Sequence, residues 1–326
     1  MVLNTLYIIV GFALLIKGGD YLVDGSVQIA RRAKLSPMVI VLTVIGFGTS
    51  APELIVSTMA AIDGSSGIAI GNVVGSNIAN IALILGASAV IVPLTVSKFT
   101  VAVDAPFMVA AAILLPVVGM TGTISRWHGL VGVLILTAYI AWQIRRSRSQ
   151  DSAQPRLGAA NSQESDAPTM NFWKALLMVV GAIAALGAGA KLLIVGASDI
   201  AMMLGMAMGI SAQEMERIIG LTIVAVGTSF PELFASVIAA SKGQVDMAIG
   251  NIIGSVTFNI YCVIGVAAMC CPIHNADVGF AFDYAVMAAL AVLLWGGLRT
   301  RYTLERWEGW TLLTLYIIYI LFTIYY

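Results

Sequence analysis

Long, nearly uninterrupted runs of apolar residues alternate with short polar segments along this chain. A helix needs about 20 mainly apolar residues to cross the hydrocarbon core of a bilayer. Because the runs are continuous, they favour helices over a β-barrel, whose strands alternate apolar and polar residues. The pattern predicts ten spans, at 3–24, 36–62, 66–92, 101–121, 127–146, 172–196, 216–241, 246–271, 280–298 and 308–325.

Basic residues predict how these spans are oriented. With ten spans, alternate loops lie on opposite sides of the membrane. One set of loops contains 13 of the 17 Lys and Arg residues, the other set contains two, and Lys17 and Lys191 lie within spans. Loops rich in Lys and Arg face the cytoplasm. We therefore expect both termini outside the cytoplasm and the connection between the fifth and sixth spans inside it.

That connection, residues 147–171, is the longest polar segment. It is rich in Ser, Gln, Asp, Ala and Pro, a composition typical of a flexible linker. A segment of about 25 residues is also too short to fold as a domain. The sequence therefore predicts a five-helix unit over 1–146, a cytoplasmic flexible linker, and a second five-helix unit over 172–326.

The composition excludes several classes of protein. Hydrophobic residues make up 60% of the chain and charged residues 10%, and the mean hydropathy is +0.96. A soluble enzyme of this length could not cover such an apolar interior with so few polar groups. The formal net charge of +0 leaves no basic surface for nucleic acid. The expected surroundings are the lipid bilayer.

The two halves contain copies of the same motif. The sequence Gly-Thr-Ser-Ala-Pro-Glu-Leu at 48–54 matches Gly-Thr-Ser-Phe-Pro-Glu-Leu at 227–233, and further matches at 71–81 and 250–260 keep the same offset of 179. Since each half has five spans, an odd number, the second half must enter the membrane inverted, as in many secondary transporters. The predicted fold is all-α and membrane-integral, with ten transmembrane helices in two inverted five-helix repeats and breaks in helices 2 and 7.

Glu53 and Glu232 are the strongest functional signal. Each lies in the middle of an apolar span, where a carboxylate is costly and needs a partner. A structural ion pair is the alternative, but the basic residues in these two spans are Arg217 and Lys242, at the ends of the seventh. The duplication favours a functional role for both glutamates.

The residues around each glutamate are suited to a cation. Thr49 lies four residues before Glu53, on the same face of a helix, and Thr228 repeats this spacing before Glu232. Ser50 and Ser229 add hydroxyl oxygens. Proline has no N–H, so Pro52 and Pro231 each leave a carbonyl without its helical partner. These hard oxygen ligands suit Ca²⁺ or Na⁺ rather than a soft metal.

The next span in each half offers a second set of oxygens. Ser76 and Asn80 are four residues apart, as are Ser255 and Asn259. Their alternative role is hydrogen bonding between helices without contact to an ion, since polar side chains often join helices in membranes.

Other charged residues are assigned structural roles. Asp104 and Asp283 occupy matched positions at the starts of spans, where we expect them to cap helix N-termini. Lys17, Asp20 and Asp24 in the first span are expected to pair locally or to extend toward the interface.

At these motifs the sequence resembles the cation/calcium exchanger superfamily, and within it the prokaryotic calcium/sodium antiporters. The two copies are similar to the paired repeats of that family, over nearly the whole chain except the linker. The resemblance implies ten spans, alternating access, an inner-membrane location, and backbone carbonyl ligands near Gly46 and Ala225. The ion ligands that it implies are Thr49, Ser50, Glu53, Ser76, Asn80, Thr228, Ser229, Glu232, Ser255 and Asn259.

Two positions depart from the family pattern. Some members have Asp where this chain has Asn259, and in potassium-dependent exchangers that Asp accompanies K⁺ transport. The resemblance therefore implies a potassium-independent exchanger. The family often has Gly-Ser-Asn in both copies, but Asn77 in the first copy is matched by Val256 in the second.

We therefore expect a transporter, not an enzyme, that exchanges Na⁺ for Ca²⁺, has no resident cofactor and functions as a monomer. Two ionised glutamates carry −2, which one Ca²⁺ or two Na⁺ neutralise. The alternatives are proton-coupled Ca²⁺ exchange at the same site, a cation channel, and an intramembrane protease. The inverted repeat argues against a channel. A serine protease would need a base near Ser50 or Ser229, and both histidines lie outside the motif spans.

Overall fold

The computed structural model describes residues 2–33, 45–153, 170–208, 227–274 and 280–325. Within these ranges the chain is helical apart from short turns and four two-residue strands. Three of the described helices each contain a π-helical segment, at Ala79–Ile84, Thr100–Asp104 and Asn259–Val263. The elements are α1 (Val2–Ala33), α2 (Gly46–Thr49), α3 (Ala51–Ile62), α4 (Ser66–Ile91), β1 (Leu94–Thr95), α5 (Thr100–Gly119), β2 (Thr123–Ile124), α6 (Arg126–Ala153), α7 (Phe172–Ala207), α8 (Phe230–Ser241), α9 (Val245–Cys270), β3 (Ile273–His274), α10 (Phe280–Arg301), β4 (Thr303–Leu304) and α11 (Arg306–Tyr325).

Seven helices in the described part of the chain are long and apolar enough to cross a membrane: α1, α4, α5, α6, α7, α9 and α10. Helices α3 and α8 are shorter apolar helices, and α11 covers the predicted tenth span. The all-helical membrane architecture predicted from the apolar runs is therefore confirmed. The first parts of the predicted second and seventh spans lie outside the described residues.

Several helices extend beyond the apolar runs that predicted them. Helix α1 reaches Ala33, α6 reaches Ala153, inside the predicted linker, and α7 reaches Ala207. Hydropathy locates the part of a helix that lies in hydrocarbon, whereas backbone hydrogen bonds continue for as long as the sequence allows a helix. The remainder of the linker, 154–169, lies outside the described residues.

Helices α1 and α7 form a long antiparallel pair. A Cβ atom at Gly11 would lie 2.9 Å from the carbonyl oxygen of Gly189, and one at Gly189 would lie 2.8 Å from that of Gly11. About four helical turns further along α1, a Cβ atom at Gly25 would lie 2.9 Å from Cγ2 of Val179. Glycine therefore allows the two backbones to approach closely, as small residues do in many membrane helix pairs.

Matched contacts join the two halves. Strand β1 pairs with β4, and β2 pairs with β3, so each pair combines one strand from either half. Helix α4 packs against α11 at Gly86 and Gly309, and α9 packs against α6 at Gly265 and Gly129. Each contact has its counterpart at an offset of 179 or 180, so the halves interlock.

The predicted capping role of Asp104 is wrong. Asp104 ends the π-helical segment of α5, and its side chain makes no cap hydrogen bond. Its Oδ1 instead accepts hydrogen bonds from the Tyr139 hydroxyl and the Gln143 amide of α6. Asp283 Oδ1 accepts one from the Tyr319 hydroxyl over 2.7 Å. A buried carboxylate needs donors, and in both halves the following helix provides a tyrosine.

Asp20 and Asp24 pair with a residue distant in sequence rather than locally. Lys242 Nζ lies 2.8 Å from Asp24 Oδ1 and 3.2 Å from Asp20 Oδ1, which ties the turn after α8 to α1. Burial lowers the pKa of Lys242, but the hydrogen bonds and negative charges of the two aspartates outweigh it, so this pKa lies above its usual value. The charge of Lys242 is thus neutralised away from Glu232.

Candidate cation-binding site

Each copy of the Gly-Thr-Ser motif breaks a helix. Helix α2 ends at Thr49 and α3 begins at Ala51, with Ser50 between them at φ −86° and ψ 7°. Ser229 has φ −91° and ψ 6° immediately before α8. Proline is tolerated in the first turn of both α3 and α8 because the N–H groups there have no helical partner. Residues 209–226, which precede the second break, lie outside the described residues.

The two glutamates lie in the first turns of α3 and α8, where the helix dipole favours a negative charge. Each is 1% exposed. Ser50, three residues before Glu53, lies 3.3 Å from Glu232 Oε1, so the two halves bring their glutamate-bearing segments together in the buried interior. Neither carboxylate forms an ion pair with any residue that the structure describes, and Arg217 is outside that part.

Contacts in this site cross from one half to the other. Ser50 Oγ donates a hydrogen bond to Glu232 Oε1 over 3.3 Å, and the Thr49 hydroxyl also lies beside Glu232. Ser76 of α4 interacts with the Glu53 carboxylate. Sequence spacing alone predicts that Thr49 and Ser50 lie near Glu53, because spacing relates only residues of the same helix. The break at Ser50 instead turns both hydroxyls toward the glutamate of the opposite half.

Many of the predicted ligands have a buried oxygen atom without a hydrogen-bond partner among the described residues. Seven of the ten predicted ligands have such an atom. A buried polar atom without a partner costs about 1–3 kcal/mol, so each one in a native protein requires an explanation such as a bound ion. The seven are Thr49 Oγ1, Glu53 Oε2, Asn80 Oδ1, Ser229 Oγ, Glu232 Oε2, Ser255 Oγ and Asn259 Oδ1.

The other three predicted ligands have contacts of their own. Ser50 donates a hydrogen bond to Glu232, and Ser76 lies beside the Glu53 carboxylate. Thr228 is partly buried and has an interaction of its own. With Thr49 it borders a cavity of about 610 Å³ between the two helix breaks and α7, lined mainly by apolar side chains. The cavity runs along the side of α7, and Thr49 is the residue with an unpartnered oxygen that lines it.

The π-helical segments of α4 and α9 begin beside the predicted ligands. Asn80 is the second residue of Ala79–Ile84, and Asn259 is the first of Asn259–Val263. A π-helical turn adds a residue to the helix and changes which side chains share a face, and such turns occur frequently at functional sites. The turns therefore rotate the residues after Ser76 and Ser255 relative to a regular helix. Sequence spacing alone does not detect this.

Two asparagines that received no role from the sequence brace the glutamates. Asn72 Nδ2 donates to Ser57 Oγ over 2.9 Å and to the carbonyl oxygen of Glu53 over 3.3 Å. Asn251 Nδ2 makes the same contacts, at the same distances, with Ser236 and Glu232. Each asparagine thus fixes a glutamate-bearing helix to the helix that follows it. Their matched positions in the two halves are the signal by which the sequence could have identified these asparagines.

Backbone features in the site differ in part from expectation. The carbonyl oxygen of Gly46 accepts a hydrogen bond from Ser50 N over 3.1 Å, and Ala225 lies outside the described residues. A Cβ atom at Gly75 would meet no atom of the described residues within 4 Å. Within that part of the chain, no close approach of another helix requires glycine at this position.

Comparison with known proteins identifies the family. The family model described as sodium/calcium exchanger protein matches residues 3–145 and 174–325. The chain belongs to this family. It is 36% identical to the putative antiporter CaxA of Alkalimonas amylolytica, over 92% of this chain and 91% of that protein. It is 31% identical to the sodium/calcium exchanger MaX1 of Methanosarcina acetivorans, over 94% of each.

A solved structure of a family member has the same fold. The sodium-calcium exchanger NCX_Mj, in crystals soaked with Na⁺ and Sr²⁺, superposes with a TM-score of 0.81 at 31% identity and covers 98% of each chain. The resemblance to the cation/calcium exchanger superfamily is thus confirmed. As a member of this family the protein is a membrane antiporter for Ca²⁺ and another cation, and the relatives it matches are transporters rather than enzymes.

Proposed function

We propose that this protein exchanges Na⁺ for Ca²⁺ across the cell membrane by alternating access. The observation that carries the proposal is that seven of the ten proposed ligands, Glu53 and Glu232 among them, each have a buried oxygen without a hydrogen-bond partner in the described part of the chain. Carboxylate, hydroxyl and amide oxygens are the ligands that Ca²⁺ and other hard cations prefer. MaX1 and NCX_Mj, which are named as sodium/calcium exchangers, support Na⁺ as the coupling ion.

The proposed ligands come equally from both halves. Glu53 and Glu232 provide the charge, and neutral oxygens complete the coordination. Since Thr49 and Ser50 contact Glu232 across the halves, an ion at the site would touch helices from each. The neutral set consists of Thr49, Ser50, Ser76, Asn80, Thr228, Ser229, Ser255 and Asn259.

The proposed architecture is ten transmembrane helices in two inverted repeats of five, over 1–146 and 172–326, joined by a cytoplasmic linker. The matched strand pairs and glycine contacts support a two-fold relation between the halves. An odd number of spans in each half requires inversion, and the distribution of basic residues places both termini outside the cytoplasm. We propose a monomer with no resident cofactor, since all ten ligands lie in one chain.

Charge neutralisation explains how one site couples two ions. The ionised glutamates carry −2, which one Ca²⁺ or two Na⁺ compensate. One Ca²⁺ and two Na⁺ therefore compete for the same two carboxylates. Either set of ions neutralises a carboxylate pair that is costly to leave charged in the membrane. A third Na⁺ would leave +1 at the site, and its passage would respond to voltage by about 2.3 kcal/mol per 100 mV.

The test is ⁴⁵Ca²⁺ uptake into proteoliposomes that contain the purified protein. An outward Na⁺ gradient should drive uptake, whereas an outward K⁺ gradient or a pH gradient alone should not. Uptake driven by the pH gradient alone would establish proton coupling instead. Uptake that follows the Ca²⁺ gradient and ignores every other ion would establish a channel and refute antiport.

A further inference from the structure

Asn77 lies in a buried chain of hydrogen bonds that crosses three helices. Asn259 Nδ2 of α9 donates to Asn77 Oδ1 of α4 over 3.1 Å. Asn77 Nδ2 in turn donates to the sulfur of Met287, on α10, over 3.6 Å. All three side chains are 0% exposed, so water does not compete for these contacts.

The sulfur of Met287 determines which group donates and which accepts in each of these hydrogen bonds. A thioether accepts hydrogen bonds but has no hydrogen to donate. Asn77 therefore turns its NH₂ group toward Met287 and its carbonyl oxygen toward α9. Only a donor can satisfy that oxygen, so Asn259 turns its own NH₂ group toward Asn77. The carbonyl oxygen of Asn259 consequently lies on the other side of its amide.

That oxygen is one of the seven unpartnered atoms of the cation-binding site. If the Asn259 amide rotated by half a turn, two N–H donors would replace the oxygen and would repel a cation. We propose that Asn77 is a positioning residue that holds the Asn259 oxygen toward the ion and thereby sets the affinity for Ca²⁺. This inference rests on the proposed function, since it takes Asn259 as a ligand.

The arrangement exists in one half of the protein. The position matched with Asn77 is Val256, which is also fully buried and has no hydrogen-bonding group. Asn80, the counterpart of Asn259, therefore has no asparagine at the equivalent place to orient it. The asparagine contact that orients Asn259 is thus absent at Asn80.

Asn77→Val tests the inference, because the protein itself tolerates valine at the matched position. Removing a residue that hydrogen-bonds to a metal ligand typically changes the affinity for the metal about 10- to 100-fold. We expect the Kd for ⁴⁵Ca²⁺ at equilibrium to rise by a factor in that range, with the KM in proteoliposomes rising in parallel and the maximal rate near that of wild type. Met287→Leu, which removes the acceptor and keeps the volume, should raise Kd by a smaller factor.

The control is Ile78→Val, a packing change at the neighbouring residue, which is also fully buried. It should leave Kd unchanged. A second comparison uses Asn259→Asp, whose carboxylate has an oxygen on either side and needs no orientation. In that background Asn77→Val should raise Kd far less than it does in wild type.

Two results would overturn the inference: an Asn77→Val protein that binds Ca²⁺ as wild type does, or an equal loss of affinity in the wild-type and Asn259→Asp backgrounds. Either result with normal Na⁺-driven uptake by wild type would leave the proposed exchange standing. Absence of Na⁺-driven uptake in wild type would instead refute the proposed function itself.

Discussion

Replacing Glu53 with glutamine is the sharpest single perturbation of the site. The change keeps the size of the side chain and removes half of the proposed site charge. Glu53 is 1% exposed and adjacent to Glu232, so solvent does not screen the loss. Breaking a buried charge pair by removing one partner costs about 3–5 kcal/mol. We therefore expect Ca²⁺ affinity to fall by about 10²- to 10⁴-fold, since each 1.4 kcal/mol is a factor of ten.

The stability of the protein without ions should not fall. Glu53→Gln removes a buried carboxylate that lies beside another carboxylate, and both its desolvation and the repulsion oppose folding. Thermal unfolding in detergent without Ca²⁺ should therefore give a midpoint equal to or above that of wild type. Added Ca²⁺ should raise the midpoint of wild type but not of the variant, because a ligand stabilises the state that binds it.

The assay is Na⁺-driven ⁴⁵Ca²⁺ uptake in proteoliposomes with equal amounts of each protein. The matched control is Asp63→Asn, which removes an exposed carboxylate at the end of the same helix, α3. The control should transport as wild type does, and Glu53→Gln should not transport. Normal uptake by purified Glu53→Gln would refute the paired-carboxylate site.

Three further predictions address other parts of the molecule. Deleting about 155–166 within the linker should leave Na⁺-driven uptake nearly intact, because this polar segment only has to join two helices; a large loss in a well-inserted protein would reveal a regulatory role. Asn259→Asp should make Ca²⁺ uptake depend on K⁺ or become sensitive to acid, because three carboxylates in one cavity need a proton or another cation. Uptake identical to that of wild type, measured with and without K⁺ across a pH series, would remove Asn259 from the ligand set. Lys242→Ala should lower the free energy of unfolding by no more than about 1 kcal/mol, since the ion pairs of Lys242 with Asp20 and Asp24 are partly exposed. Denaturant titration measures this change, and a larger loss would contradict the prediction and show that the contact holds α1 in place.

The sequence predicted the elements that depend on composition and repetition. Apolar runs located the helices, and a carboxylate repeated within two of them located Glu53 and Glu232. Both signals act within one segment, which is why they can be recognised without a structure. The duplicated motif was enough to identify the family.

The sequence did not predict contacts between segments. Ser50 reaches Glu232, and Asn77 reaches Asn259, each over a separation of 182 residues, and no spacing rule applies at that distance. The same limit explains the wrong capping role of Asp104, whose donors lie on α6. The π-helical turns at Asn80 and Asn259 depend on local packing rather than on residue type alone.

Competition between the two ions tests the central claim most directly. Equilibrium binding of ⁴⁵Ca²⁺ to the purified protein, measured at increasing Na⁺ concentration, reports whether one carboxylate pair holds both ions. We predict one Ca²⁺ bound per chain, displaced completely by Na⁺ with a Hill coefficient above one, because at least two Na⁺ must replace each Ca²⁺. Ca²⁺ binding that is unaffected by Na⁺, or that persists in the Glu53→Gln and Glu232→Gln variants, would contradict the shared site.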